Sequence, residues 1–250
     1  MGKEKLDTRF KKTANARGYA IEVLDTYSEH FIEEAVRAGS SDEYCLEVGA
    51  AFGFVTKEAL TRGAKMIAND VSAEHLDAIL QDTPSALKSS LTLLKGEFPA
   101  VTGKMPDASI KHILICRVTH YFTPAQMELA IKECSRLLAP EGKVFLVSET
   151  PYGAVFKDFI PIYEGQKQTA SNWPGFIDDL PKYMRQYSED NPSKMLLLGE
   201  DELRAGFLRA GFSIEKCGFF SRAGVFPEGL CLDGKESVGI VAVKPPIAKL

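Results

Sequence analysis

Between residues 44 and 147 the chain alternates short apolar runs with amphipathic stretches, and that rhythm leaves few folds open. Tyr44-Cys-Leu-Glu-Val48, residues 65–70, 91–94, 110–116 and 143–147 read as five strands, each too short and too apolar for a surface helix. Helical spacing fills the gaps at 53–61, 72–81 and 124–138. Ser72 is a candidate N-cap, and Thr123-Pro124 places a capping side chain directly before a first-turn proline. Pro140-Glu-Gly142 reads as a turn before the fifth strand. Strands that alternate with helices in this way imply a parallel sheet covered on both faces.

With 250 residues, 45% hydrophobic and 26% charged, the chain is long enough for one such domain plus a sizeable insertion. Four segments are expected: a helical N-terminal cap over 1–40, a core over 41–150, an insertion over 151–199, and the rest of the core sheet over 200–250. In the first, residues 19–27 and 30–38 both carry helical apolar spacing. The insertion breaks the rhythm, interleaving five prolines with Tyr152, Phe156, Phe159, Tyr163, Trp173, Phe176, Tyr183 and Tyr187. A structureless loop of that length is unusual in a compact domain, so the expectation is a partly helical lid or subdomain. A helix at 200–209 and a hairpin-like pair at 212–220 and 238–243 complete the chain.

The residues that carry chemistry cluster at the expected strand ends. Glu47-Val-Gly49-Ala50-Ala-Phe-Gly53 follows the first strand directly. Gly49 allows close backbone approach to a ligand, and Gly53 opens the next helix. Ala51 stands where a G-x-G-x-x-G dinucleotide fingerprint needs its second glycine, which disfavours a nicotinamide oxidoreductase. Asp70 ends the second strand, where a carboxylate can accept from both ribose hydroxyls, with Val71 beside it. Past the third strand, Glu97 can accept from an adenine amino group while Phe98 packs on the ring.

This set resembles the class I S-adenosylmethionine-dependent methyltransferase family over roughly residues 42–150, and more loosely 200–245. Further similar text is Met105-Pro-Asp-Ala-Ser-Ile110, Ile115-Cys-Arg-Val-Thr-His-Tyr-Phe122, and Cys134-Ser-Arg-Leu-Leu-Ala-Pro-Glu-Gly142 with the strand that follows. The resemblance implies an α/β, Rossmann-like, doubly wound fold. Its mostly parallel seven-stranded sheet would end in an antiparallel C-terminal strand and carry the helical, aromatic insertion after the fifth strand. It further implies S-adenosylmethionine as cofactor and S-adenosylhomocysteine as product. Glu47, Gly49, Ala50 and Gly53 would hold the methionine portion, Asp70 and Val71 the ribose, and Glu97 and Phe98 the adenine; residues 116–120, with Cys116 and Arg117, would line the transfer site. Lys111, where many members carry Asp, and Glu141, in place of the first glycine of Pro-Gly-Gly, depart from the family pattern away from the expected cofactor site.

Methyl transfer from a sulfonium is an in-line displacement in which the cofactor brings the electrophile. The protein mainly aligns the acceptor, and a base is needed only where the acceptor is protonated. His120 is the candidate base, the alternative being a loop histidine bonded to backbone. Tyr19, Tyr121, Glu149 and Trp173 are the candidate acceptor contacts, and Arg117 either binds an acidic substrate or caps the next helix. His30, His75 and His112 read as surface or packing residues, and no His/Cys/acid cluster has metal-ligand spacing.

A net charge of −4 argues against a nucleic-acid partner, and a small-molecule acceptor is expected. Five cysteines without a C-x-x-C pair point to a reducing compartment. No apolar run approaches a bilayer span and the N-terminus lacks a signal-peptide core, so a cytoplasmic protein, monomer or homodimer, is expected. A non-catalytic S-adenosylmethionine-binding or scaffold protein, or a protein or RNA methyltransferase, stays open as an alternative.

Overall fold

The computed structural model describes residues 9–15, 18–169, 171–184 and 191–246. The elements in chain order are β1 (Phe10–Lys12), β2 (Tyr19–Ile21), α1 (Thr26–Ser40), β3 (Tyr44–Val48), α2 (Phe54–Thr61), β4 (Lys65–Asp70), α3 (Ala73–Asp82), β5 (Leu91–Lys95), β6 (Ile110–Cys116), α4 (Pro124–Leu137) and β7 (Leu138–Glu149). The chain continues through α5 (Ile160–Gln166), β8 (Phe176–Ile177), β9 (Met195–Leu196), α6 (Glu200–Arg209), β10 (Ser213–Phe220) and β11 (Ser237–Val243).

The main sheet has seven strands in the order β10-β11-β7-β6-β3-β4-β5. Pairings among β3 to β7 are parallel, and β11 runs antiparallel to both β7 and β10. This is the expected Rossmann-like fold. The chain winds outward from β3 through β4 to β5, then returns to β6 on the other side of β3. That reversal leaves a crevice at the carboxyl ends of β3 and β6, where open α/β sheets bind ligands.

Both faces of the inner strands β3, β6 and β11 are buried, which is why they are apolar without alternation. Ile113, Ile115, Val144 and Leu146 pack toward α4 and α6 with Ile131, Leu137 and Phe207. Their neighbours Leu114, Phe145 and Val147 point the other way, onto Phe31 and Ile32 of α1 and Leu60 of α2. The Pro140–Gly142 turn is a bulge inside β7, whose pairing with β6 jumps from Ile110↔Leu138 to His112↔Lys143.

The caps fall where the sequence places them. Ser72 Oγ accepts from the His75 amide, and Thr123 with Gln126 closes a capping box at α4. The N-terminal cap differs from expectation. Residues 19–25 are not helical, and only Thr26 and Tyr27 of the expected helix belong to α1: Tyr19–Ile21 pairs antiparallel with Phe10–Lys12. Asp25 decides where α1 starts, because its carboxylate accepts from the amides of Tyr27 and Ser28. Helical spacing alone cannot reveal a pairing partner supplied by an earlier segment.

The insertion is partly helical and builds its own small core from Phe156, Phe159, Tyr163, Ile177, Leu180, Met195 and Leu197. Glu202 fastens it to α6, accepting from Tyr163 Oη at 2.8 Å and from the Gly199 amide at 2.7 Å. Among the described residues no helix is long and apolar enough to cross a membrane.

Candidate active site

A cavity of about 490 Å³ opens at the carboxyl ends of β3, β4, β5 and β6. That size lies within the range of small-molecule sites. Its floor begins where β3 turns into α2. Gly49 sits at φ +68°, and a Cβ there would come within 2.4 Å of Val118 Cγ2, so only glycine leaves both the turn and the space intact. Gly53 has the same left-handed backbone, φ +71°, but its missing side chain makes room for Ile79 in the core. Gly53 does not line the cavity; it shapes the bend from behind. That corrects its expected place as a cofactor contact.

Three carboxylates from neighbouring strands meet this one cavity: Glu47, Asp70 and Glu97. Glu47 is 5% exposed. Burial, reinforced by the nearby Asp70, pushes its carboxyl up to about 7 even though Thr56 Oγ1 donates to it. No cation pairs with it among the described residues, so near neutrality the site is poised to take one.

Asp70 joins the site's parts. Oδ2 accepts from the Ala51 amide at 2.9 Å, Oδ1 from the Ser72 amide at 2.8 Å, and His75 Nδ1 lies 3.0 Å from Oδ1. A carboxylate offers about four acceptor positions, so these three bonds leave one on Asp70 unused. Glu97 stands on the exposed rim, receiving Gln126 Nε2 at 3.1 Å. Ala50, Val71, Phe98, Cys116, Arg117, Tyr19, Tyr121 and Glu149 also line the cavity. Phe98 does so from the main hydrophobic core, at 3% exposure.

The sequence reads His75 as a surface or packing residue; the structure packs it and also gives it a place at the cavity. It is 1% exposed and lines the cavity. Its Nε2 accepts from the Ala14 amide at 2.9 Å, which assigns the proton to Nδ1 and makes it a donor to Asp70. The ring also meets Phe52 edge-on at 4.7 Å, and Lys11 Nζ lies 3.8 Å from the Phe52 centroid. The N-terminal hairpin is thereby tied across the glycine bend. No short-range pattern links Ala14 to His75, so the sequence carried no signal for it.

His120 follows β6 in a 3₁₀ turn, 9% exposed and on the cavity wall. Its buried Nδ1 has no hydrogen-bond partner among the described residues. Burial lowers its pKa, with Glu149 acting in the opposite sense and Arg117 in the same one, which favours the neutral base form. The backbone-bonded alternative has no bond at Nδ1. Tyr121 stacks beside the imidazole at 4.0 Å, and Glu149 closes the end of β7.

Trp173 is not part of this site. It is 4% exposed in the main core, and its Nε1 donates to Glu128 Oε1 at 2.9 Å. A Cβ on Gly206 would reach 2.7 Å from its ring, so the indole clamps the insertion against α4 and α6. An aromatic in an insertion fits a core slot as readily as an acceptor pocket, and only packing separates the two. From the insertion, Val155, Phe156, Met184 and Met195 line the cavity instead.

The fold is similar to that of class I S-adenosylmethionine-dependent methyltransferases. Residues 46–146 match the family model of a methyltransferase domain, as the resemblance implied. Uncharacterized methyltransferases of Mycobacterium tuberculosis and Mycobacterium bovis are 32% identical to the chain over 107 residues. That match covers 42% of this chain and 39% of the relatives, so the chain spans well under half the length of these curated proteins. Among solved structures, a Methanosarcina mazei S-adenosylmethionine-dependent methyltransferase aligns with TM-score 0.60 at 16% identity, over 82% of this chain and 93% of its own. The glycopeptide N-methyltransferase MtfA, crystallised with S-adenosylmethionine, aligns with TM-score 0.55 at 19% identity, over 88% and 95%.

Proposed function

We propose that the chain transfers a methyl group from S-adenosylmethionine to a small-molecule acceptor beneath a lid formed by the insertion. The observation that carries this reading is the convergence of Glu47, Asp70 and Glu97, from three adjacent strand ends, on one cavity beside the Gly49 bend. The donor set fits the cofactor chemically. A buried carboxyl without a cation suits an ammonium, a strand-end aspartate suits ribose hydroxyls, and a rim glutamate suits an exocyclic amine.

When bound, S-adenosylmethionine supplies the sulfonium methyl as electrophile. Glu47 then gives up its proton to hold the ammonium, and Asp70, braced by His75, orients the ribose. Neutral His120 accepts a proton from the acceptor's hydroxyl or amine, with Glu149 stabilising the imidazolium. Val155, Phe156, Met184 and Met195 exclude water above the acceptor. The solved MtfA complex with S-adenosylmethionine supports the cofactor, and the mild acidity of the chain supports a small acceptor over nucleic acid.

The test is incubation of the purified protein with methyl-labelled S-adenosylmethionine and a fractionated metabolite extract, followed by mass spectrometry. Label in a low-mass product, lost in His120→Ala, is expected. Cofactor binding without labelled product from any fraction would favour the non-catalytic alternative.

A further inference from the structure

Arg117 in the cavity wall and Arg222 behind it hold hydrogen-bonding capacity that nothing among the described residues uses. Arg117 directly follows β6 with its backbone at φ +57°, a left-handed conformation that side chains enter at a cost. Its Nη2 reaches Asp25 Oδ2 at 3.1 Å, yet its buried Nε has no partner. Arg222 lies two residues beyond β10 and is 2% exposed. Its Nε donates to Ser237 Oγ at 2.5 Å, and its guanidinium lies 4.9 Å from the centroid of Phe226, a ring that lines the cavity. Its Nη2 is buried without a partner, and it forms no ion pair among the described residues.

A buried guanidinium without a counter-ion is costly, and a second one nearby adds repulsion. Burial first, and Arg117 next, pull Arg222 down to about 10. Two of the surrounding carboxylates are already committed. Asp25 caps α1 through the amides of Tyr27 and Ser28 while it holds Arg117. Glu236 takes the amides of Arg222, Leu232 and Gly234. Glu149 acts on Arg222 only electrostatically.

We propose that Arg117, in the cavity wall, and Arg222, packed behind it against Phe226, form a carboxylate-binding subsite. Guanidinium forks match the planar, two-oxygen geometry of a carboxylate, and apolar neighbours such as Phe226 and Leu230 strengthen the bond by excluding water. Two molecules can bring the group: the amino-acid end of the cofactor or an acidic acceptor. This assignment of source rests on the proposed methyltransferase reading, while the subsite itself does not.

The experiment has two arms. Thermal unfolding of the apo protein and of the S-adenosylhomocysteine-loaded protein is followed with benzoate and with benzamide, its neutral counterpart. Calorimetry compares S-adenosylmethionine with its decarboxylated form. Each measurement is made on the wild type, Arg222→Lys and Arg222→Gln, with circular dichroism checking the fold.

Roughly tenfold or greater preference for the carboxylated cofactor, erased in Arg222→Gln, assigns the subsite to the cofactor. No cofactor preference, with stabilisation by benzoate but not benzamide that is lost in Arg222→Gln, assigns it to an acidic acceptor. Absence of both discriminations in the wild type overturns the proposal whether or not the variants fold. Failure of either cofactor form to bind would sink the methyltransferase reading alone, since the benzoate comparison on apo protein still decides the subsite.

Discussion

Replacing Glu47 by Gln removes an ionisable group from a place where ionisation is costly. The carboxyl rests at about 7 in the folded protein, against an ordinary value of 4.5, mainly because burial penalises its charge. Below pH 4.5 the group is protonated in both folded and unfolded chains and contributes nothing to their difference. Between these values the unfolded chain ionises first, so stability falls as pH rises. Above 7 the full penalty is present. At ~1.4 kcal/mol per pH unit, it reaches about 3 kcal/mol at pH 8 and about 1 kcal/mol or less at pH 5. Gln keeps a partner for Thr56 Oγ1 and has no charge to bury. Apo Glu47→Gln should therefore unfold about 6–12 °C above wild type at pH 8, with the gap shrinking toward pH 5. Thermal melts by circular dichroism across that range measure it. A difference that does not change with pH would refute the argument. On the proposed function, the same variant should also lose the proton that wild type releases on binding S-adenosylmethionine near pH 6.5, read by calorimetry in two buffers of different ionisation enthalpy.

Asp70→Ala should weaken S-adenosylmethionine binding by about 2 kcal/mol and also lower the melting temperature, since Ala51, Ser72 and His75 all lose a partner. Calorimetry and melts together check this, and unchanged affinity would count against the ribose assignment. His120→Ala should reduce kcat far more than cofactor affinity, by about 10²-fold or more if it is the general base; equal losses in steady-state kinetics and calorimetry would make it structural. Trp173→Ala should cost about 3–5 kcal/mol in urea unfolding, as expected of a core indole. At a temperature where that variant stays folded, its acceptor KM should stay close to wild type, whereas a direct acceptor contact would raise it.

Much of the molecule was legible before any coordinates. Residues 44–147 announced their strands and helices because parallel strands buried on both faces must be apolar, and because Ser72 and Thr123 carry the oxygens that helix starts need. Glu47, Asp70 and Glu97 could be picked out because strand ends in this topology share a crevice. These are local signals or consequences of strand order, and a linear chain encodes both. Other features depended on segments far apart. The hairpin at 10–21 and its tether from Ala14 to His75 join residues 61 positions apart, and helical spacing at 19–27 misled. Trp173 went to the core because Gly206 left a slot for it, and Arg222 reached the neighbourhood of Arg117 only through the closing of β10 on β11. Periodicity and spacing report what each element needs to bury. Which distant side chain meets that need is settled by packing, when the elements come together.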